Sequence, residues 1–205
     1  MIVLDVETSG TIPWRHSLLS IGAVDFSNPE NRFYIECGIR DGTEIDPNSL
    51  KVNGFSMDDI KSGPRKPQKE ALTEFVGWAR GIDDRTLAGH NLHMDVYFIE
   101  FALEHYGIES PFPKRIVDIH AITYAHMSSR DISPPMERNG SAISSRVVQM
   151  YCGLPEEPRP HNALNGALIE TEELSRLLHG SKLVKEYSTY PVPAYLSAVR
   201  YNSTA

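Results

Sequence analysis

The chain opens on an apolar run that carries two acids, Asp5 and Glu7, separated by a single residue. The other side chains of the run fit a buried strand: Ile2, Val3, Leu4 and Val6. Because alternate residues of a strand share a face, the two carboxylates are predicted to project side by side, with Cα atoms roughly 7 Å apart. Like charges on an apolar strand are unfavourable unless a cation neutralises them, and hard divalent ions take oxygen ligands. The spacing therefore predicts a metal site; the alternative is an edge strand whose acids face water.

A second cluster stands at residues 89–95 (GHNLHMD), between a predicted short strand and a predicted helix. Asp95 falls in the first turn of that helix, where an acid alone would complement the helix dipole. In α/β sheets, however, the C-terminal ends of neighbouring strands meet at one edge, and ligands bind there. Asp95 is therefore predicted to share a site with Glu7, while His90 and His93 are interpreted as structural or orienting side chains.

A third cluster opens the last long predicted helix, where His161 follows Pro160. The near-neutral pKa of histidine suits it to proton transfer. A lone histidine carries little functional information, but the two acid clusters make this one a candidate for the same site.

A regular framework must position these clusters, and the apolar periodicity predicts one. Short connections between the first three strands favour an antiparallel meander, and the later strands alternate with helices. The result is an α/β domain with a mixed sheet of about five strands flanked by helices. Beyond the first strand, the predicted strands are 17–26, 32–39, 86–89 and 115–118, and the predicted helices are 68–80, 94–106, 119–127, 143–151 and 162–179, with helical turns at 47–52 and 56–60 and a loop at 128–140.

Composition narrows the class of protein. The 205 residues suffice for one domain with a full core, and the net charge of −7 gives no general affinity for nucleic acid. Cys37 and Cys152 lack the spacing of a zinc site or a disulfide framework, which favours a reducing compartment. No apolar run approaches the roughly 18 residues of a membrane span. The first strand begins at Met1, which leaves no room for a signal segment, so we expect a cytoplasmic protein without membrane association.

Taken together, the three clusters resemble the DnaQ-like 3′–5′ exonucleases, in the subgroup named DEDDh for its four acids and one histidine. The first motif is matched by residues 5–10 with 19–24, the second by residues 89–95, and the third by residues 161–167 (HNALNGA). Met94 stands where the family usually has an aromatic residue. The resemblance implies a ribonuclease H-like fold, with an exonuclease domain at residues 1–180 and a C-terminal tail at 181–205.

One position departs from the family pattern. Counting from His161, the last acid of the family would stand at position 166, where this chain has Gly166. Three explanations stay open: a glycine introduced to disable catalysis, a natural loss that leaves a protein able to bind but not to cut, or residual activity with Mn²⁺. Glu170, one helical turn further on, is the side chain that could substitute as a ligand, whereas Asn165 points about 100° away.

The resemblance implies a metal-dependent 3′–5′ exonuclease that releases nucleoside 5′-monophosphates from single-stranded DNA or RNA ends. Two Mg²⁺ or Mn²⁺ ions would serve the intact site, and the missing acid implies reduced or abolished activity. The residues that the resemblance implies are the metal ligands Asp5, Glu7 and Asp95, the general base His161, and the substrate-binding residues Thr8, Ser9 and Asn91.

Other functions stay open at this point. The fold could serve a nucleic-acid-binding or interaction module without catalysis, or a metal-dependent hydrolase of small phosphoesters. Phe33, Phe55 and Tyr97 are candidates for stacking on bases, although each also fits a core or surface position. The tyrosine-rich tail is predicted to pack on the domain or on a partner, such as a second copy of the chain.

Overall fold

The computed structural model describes residues 1–62 and 65–197, and the predicted mixed five-stranded sheet is confirmed. The strands β1 to β5 are Ile2–Thr8, Leu18–Asp25, Arg32–Glu36, Leu87–Gly89 and Ile116–Asp118. They lie in the order β3-β2-β1-β4-β5. The first three strands form the predicted antiparallel meander, whereas β4 pairs in parallel with both β1 and β5. The C-terminal ends of β1 and β4 therefore meet at one edge of the sheet.

Eight α-helices are present in the part of the chain that the structure describes. Those predicted from residues 143 and 162 begin slightly later, because Ser144 and Asn162 are N-caps whose side chains accept hydrogen bonds from backbone N–H groups of the first turn. The helices α1 to α8 are Pro47–Asn53, Met57–Ser62, Gln68–Arg80, His93–His105, Ile119–Ser128, Ser145–Cys152, Ala163–His179 and Ala194–Ser197.

The prediction of a plain loop at residues 128–140 was wrong, because this region contains a small hairpin. Two-residue strands, β6 (Met136–Glu137) and β7 (Gly140–Ser141), pair across a turn in which Arg138 and Asn139 both have positive φ. That backbone geometry is typical of tight hairpin turns. Strands of two residues are too short to show an alternating apolar pattern, so they cannot be predicted from periodicity.

The two faces of β1 serve two different cores. Ile2 and Leu4 pack with helices α3 and α4, whereas Val3 packs on the opposite face with helices α5, α6 and α7. Because side chains alternate along a strand, Asp5 and Glu7 share the face of Val3 and point toward α7. The sheet thus presents both acids to the helix that begins after His161.

Helix α7 packs very closely on the sheet at Gly22, the partner of Asp5 on β2. A Cβ atom at Gly22 would stand 2.1 Å from the backbone carbonyl of Ala163. Only glycine leaves room for the start of α7 at this position, so Gly22 sets the distance between the helix N-terminus and the acids of β1.

The described part of the tail lies against the domain. Val184 and Leu196 are buried, and the Tyr195 hydroxyl donates a hydrogen bond to the carbonyl oxygen of Tyr151. Residues 198–205, including Tyr201, lie outside the described residues. None of the helices in residues 1–62 and 65–197 combines the length and apolar character needed to cross a bilayer.

Candidate active site

The four residues predicted to do chemistry lie at one end of the sheet. Asp5 and Glu7 are on β1, Asp95 is in the first turn of α4, and His161 directly precedes the N-cap of α7. The Asp95 carboxylate reaches across to β1, where its Oδ1 accepts the N–H of Val6 at 3.0 Å. This bond fixes the start of α4 beside the two acids of the strand.

The turn that carries the second motif is held from the neighbouring strand. Asp118, at the end of β5, accepts the N–H of Leu92 through Oδ2 at 3.1 Å. Asn91 has a φ of 50°, a left-handed conformation that asparagine tolerates better than most residues. The chain can therefore reverse between β4 and α4 and bring Asp95 to the sheet edge.

His161 is held at the helix entry by backbone and side-chain contacts. Its N–H donates to the carbonyl oxygen of Val52 at 3.1 Å, and its Nδ1 lies 3.4 Å from Oε2 of Glu157. The imidazole is 33% exposed. A histidine that is anchored through its backbone and one ring nitrogen, yet open to solvent, is suited to exchange a proton with a bound water.

The carboxylates raise one another's pKa. Burial is the main cause of the raised pKa of Asp5, and the charges of Asp95, Glu7 and Glu157 add to it. Burial, followed by the charges of Glu157 and Asp95, raises the pKa of Glu7 to about 8. Burial is also the main cause that raises the pKa of Asp95 to about 7. Among the described residues, no lysine or arginine forms an ion pair with any of these acids.

The chemistry of this donor set fits a hard divalent cation. All the donors are carboxylate oxygens, and their mutual repulsion has no counter-charge within the described part of the chain. The side chains do not converge on one point as they stand: within residues 1–62 and 65–197 no three acids, histidines or cysteines are placed to hold a metal ion together. Binding an ion therefore requires side-chain rotation, or water molecules as part of the ligand set.

Gly166 faces Asp5 directly. A Cβ atom at position 166 would lie 2.2 Å from Oδ2 and 2.8 Å from Cγ of Asp5. The Asp5 carboxylate thus occupies the space that a side chain at position 166 would need. Restoring an acid there requires Asp5 to change its rotamer.

The three predicted substrate-binding residues differ in their surroundings. Ser9 is fully buried, and its hydroxyl donates to the carbonyl oxygen of Glu44 and accepts the N–H of Ser17. The Thr8 hydroxyl donates to the carbonyl oxygen of Gly10 at 2.7 Å. Thr8 and Asn91 line a cavity of about 240 Å³ next to Asp95, so they are better placed than Ser9 to meet a ligand.

The candidate stacking residues also differ in their exposure and contacts. Phe33 packs in the core against Phe75, and Phe55 lies 4.5 Å below the guanidinium of Arg65. Tyr97 is 63% exposed, two residues after Asp95. Trp14, which the sequence reading did not single out, is 68% exposed and lines the same cavity of about 570 Å³ as Tyr97. It follows the first motif in a turn-rich loop without periodicity, so its position could not be read from the sequence.

The chain was compared with known proteins. No family model matches it. It is 29% identical over 184 residues to the 3′–5′ DNA exonuclease Cap18 of Escherichia coli, covering 86% of this chain and 90% of that protein. It is 27% identical over 191 residues to ribonuclease T of Actinobacillus pleuropneumoniae, covering 86% of this chain and 80% of that protein. These similarities support the resemblance to the DnaQ-like 3′–5′ exonucleases of the DEDDh type.

Solved structures agree on the fold. The nuclease domain of 3′hExo, a DEDDh family member bound to rAMP, matches with a TM-score of 0.67 at 14% identity, covering 86% of this chain and 90% of that one. Cell-death related nuclease 4 matches with a TM-score of 0.67 at 17% identity, and the alignment covers 86% of this chain and 62% of the nuclease. The ribonuclease H-like fold is thereby confirmed.

A metal-bound neighbour is also known. The zinc-bound complex of Escherichia coli exonuclease I with single-stranded DNA matches with a TM-score of 0.64 at 11% identity, covering 83% of this chain and 38% of that one. The chain therefore shares its fold with a protein that has been observed with both a metal ion and DNA. The relatives support a 3′–5′ exonuclease, a hydrolytic nuclease.

One acid close to the site, Glu157, was not predicted from the sequence. Glu157 lies in a segment rich in proline and glutamate, residues 155–160, yet its carboxylate faces His161 and its charge raises the pKa of Glu7. No periodicity marks this segment, so its place was not predictable. The one available signal was an acid four residues before the histidine.

Proposed function

We propose that the chain is a metal-dependent 3′–5′ exonuclease that hydrolyses phosphodiester bonds at the 3′ ends of single-stranded DNA or RNA. The products would be nucleoside 5′-monophosphates. The observation that carries the proposal is the meeting of Asp5, Glu7, Asp95 and His161 at one edge of a DnaQ-like sheet. The names of the relatives, a DNA exonuclease and a ribonuclease, support the reaction and leave both nucleic acids as substrates.

In this proposal Asp5, Glu7 and Asp95 hold Mg²⁺ or Mn²⁺. When bound, two such ions supply an activated water and neutralise the charge that develops on the leaving oxygen. His161 accepts the proton of the attacking water, a role for which its partly exposed ring is suited. The Val6 N–H holds Asp95 in place while the phosphodiester is bound.

The substrate would be recognised locally. Thr8, Ser9 and Asn91 form the proposed binding residues, with Ser9 supporting the loop from within. The exposed rings of Trp14 and Tyr97 offer surfaces on which bases can stack without regard to sequence. A net charge of −7 opposes long contacts with a phosphate backbone, so short or frayed ends are the favoured substrates.

The proposal includes an activity lowered by Gly166. The family's acid at this position belongs to the ion that activates the water, and glycine provides no ligand. The same residue favours the second candidate function, a nucleic-acid-binding module on the exonuclease fold that does not cut. Retention of Asp5, Glu7, Asp95 and His161 in one site favours residual catalysis over binding alone.

The remaining assignments concern the whole chain. We assign residues 1–180 to the exonuclease domain and 181–205 to a C-terminal extension whose surface could serve a second copy or a protein partner. Two buried free cysteines, Cys37 and Cys152, suit the reducing cytoplasm in which we place the protein.

Cleavage of a 5′-labelled single-stranded oligonucleotide, as DNA and as RNA, tests the proposal with Mg²⁺ and then Mn²⁺. We expect slow stepwise shortening by the unchanged chain and a rate at least about tenfold higher for Gly166→Asp, which corresponds to about 1.4 kcal/mol of transition-state stabilisation. Gly166→Ala is the matched control, because it displaces Asp5 in the same way without adding a ligand.

Two results would count against parts of the proposal. Equal rates for the unchanged chain and Gly166→Asp would show that Gly166 does not lower activity. If neither cuts DNA or RNA while both bind it, the binding module becomes the better description.

A further inference from the structure

Position 166 leaves the site short of a carboxylate. The glycine has no side chain, and Asp5 fills the space in front of it. The resemblance to the DEDDh exonucleases implies that the absent acid would hold an ion together with Glu7. A substitute ligand in this chain would therefore have to stand near both Asp5 and Glu7.

Glu157 lies in the loop between α6 and α7, at the entry of the helix whose Gly166 faces Asp5. Its N–H donates to Oε1 of Gln149 at 3.3 Å, and its own Oε1 accepts the N–H of Asn162 at 3.4 Å. Its Oε2 lies 3.4 Å from Nδ1 of His161, and its side chain is only 11% exposed. Contacts at both ends of the loop thus hold this carboxylate inward, beside the proposed general base.

The charge of Glu157 acts directly on the acids of β1. Among neighbouring charges it does most to raise the pKa of Glu7, and it contributes to the raised pKa of Asp5. Charges influence one another strongly only over short separations, even in a protein interior. Within the described residues, His161 is the only group able to offset the charge of Glu157 through an ion pair.

A further buried acid, Glu170, borders this cluster. Glu170 is 8% exposed, and its Oε2 is buried without a hydrogen-bond partner in the described part of the chain. The charges of Asp5 and Asp95 raise its pKa after burial, so its carboxyl group borders the same site. Glu170 therefore adds to the acidic character of this end of the sheet.

Glu170 itself is less suited to replace the missing acid. It accepts a backbone hydrogen bond from His90, and its Oε2 lies 3.2 Å from the position that a Cβ of Gly89 would take, close behind the end of β4. That places it on the Asp95 side of Asp5 and deep in the fold. Glu157 lies on the Glu7 side, at the partly open entry beside His161.

We propose that Glu157 supplies the carboxylate that Gly166 lacks, and that it holds the divalent cation on the Glu7 side of the site together with Asp5 and Glu7. The inference rests on the proposed function and deepens it, because it explains why activity would be lowered and not lost. To reach the ion, Glu157 exchanges its contact with His161 for the metal.

Mn²⁺ binding, followed by electron paramagnetic resonance and calorimetry, tests this independently of nuclease activity. We expect Glu157→Gln to weaken Mn²⁺ binding by at least about tenfold. Glu156→Gln is the matched control: Glu156 is the neighbouring acid, 60% exposed, and pairs with Arg146 at 2.7 Å. It should leave Mn²⁺ affinity unchanged, and so should Glu170→Gln.

Thermal melting separates loss of a ligand from loss of the fold. Without metal, Glu157→Gln removes a like charge and should melt at the same temperature as the unchanged chain or slightly higher. With Mn²⁺, its melting temperature should rise less than that of the unchanged chain. A variant that was simply damaged would melt lower in both conditions.

The Gly166→Asp background gives the sharpest comparison. If Glu157 replaces the missing acid, Glu157→Gln should weaken Mn²⁺ binding by less than about threefold once the acid is restored, because the two ligands are then redundant. An effect of Glu157→Gln no larger than that of Glu156→Gln would overturn the inference while leaving the proposed function intact. So would a loss of affinity in Glu170→Gln alone. If Asp5→Asn binds Mn²⁺ as the unchanged chain does, the metal site and the proposed function fall together.

Discussion

Helix α7 carries two buried charged regions that are built in opposite ways. Near its C-terminal half, Arg176 and Glu172 are fully buried and pair at 2.6 Å. Near its N-terminal half, Gly166 and Glu170 border the acids Asp5 and Asp95. The first region contains its own counter-charge, whereas the second is acidic throughout.

The pair in the first region satisfies its polar atoms from the surrounding chain. The Arg176 guanidinium donates to the carbonyl oxygens of Cys152, Tyr190 and Pro191 at 2.9 to 3.1 Å. The Glu172 carboxylate accepts from Arg176 and from two backbone N–H groups of residues 183 and 184 at 2.8 Å. This pair joins α7 to the end of α6 and to the tail.

The two regions of α7 differ in where the partners of their buried charges come from. A charge whose partners all come from the protein holds the structure together, as Arg176 does. Charges that repel one another and find no partner in the described residues are stable only if something from solvent joins them. The acidic region therefore marks the functional end of the helix, and the ion pair marks its structural end.

The largest expected change in the free energy of unfolding comes from a substitution at the structural end of α7. Arg176→Met should lower the free energy of unfolding by about 3–5 kcal/mol, because it leaves Glu172 buried without its counter-charge. Urea denaturation measures the change. Lys182→Met is the matched control, since Lys182 is exposed and also donates to a carbonyl oxygen of the tail, that of Ser188. Equal effects of the two substitutions would remove the distinction between the two regions.

At the functional end, by contrast, removal of a charge should not lower the free energy of unfolding. Asp5→Asn removes one of the repelling charges, so without metal it should not destabilise the chain. Mn²⁺ at 100 times its dissociation constant should stabilise the unchanged chain by about 2.7 kcal/mol, and this gain should vanish in Asp5→Asn. Melting curves with EDTA and with Mn²⁺ measure both effects. A large loss of stability in EDTA would mean that Asp5 has a structural role after all.

The sequence was sufficient to predict the framework of the functional end. Alternation placed Asp5 and Glu7 on one face of β1, and the order of strands and helices placed Asp95 at the same edge. These features follow from local periodicity and from the geometry of α/β sheets, so one chain is enough to derive them.

The parts of the site that could not be predicted from the sequence depend on contacts between residues far apart in the chain. Glu157 reaches the site because Gln149 and Asn162 hold its loop, and neither bond leaves a pattern in the sequence. The Asp5 carboxylate also fills the space in front of Gly166. This contact depends on packing, so it could not be predicted from the sequence either. The same limit applies to Glu170: its spacing from Gly166 predicted its nearness to the site, but only the structure places it behind the end of β4.

A third acid on α7, Glu173, gives the smallest and most specific test. It is fully buried, and neither carboxylate oxygen has a hydrogen-bond partner among the described residues. Burial, and to a lesser extent the charge of Glu157, raises its pKa well above the ordinary value of 4.5. The folded chain then binds this proton more tightly than the unfolded chain does. Its contribution to stability is therefore present below pH 4.5 and is lost as the pH rises toward the folded-state pKa.

Glu173→Gln should remove this pH dependence. The variant should be more stable than the unchanged chain at pH 8, because glutamine has no proton to lose as the pH rises. The difference should shrink as the pH falls toward 4.5. Urea denaturation in EDTA across that range measures it. If the difference stayed constant with pH, Glu173 would not titrate on unfolding. If Glu173→Gln instead weakened Mn²⁺ binding, the metal-binding region would include Glu173. The separation of α7 into a functional N-terminal half and a structural C-terminal half would then be wrong.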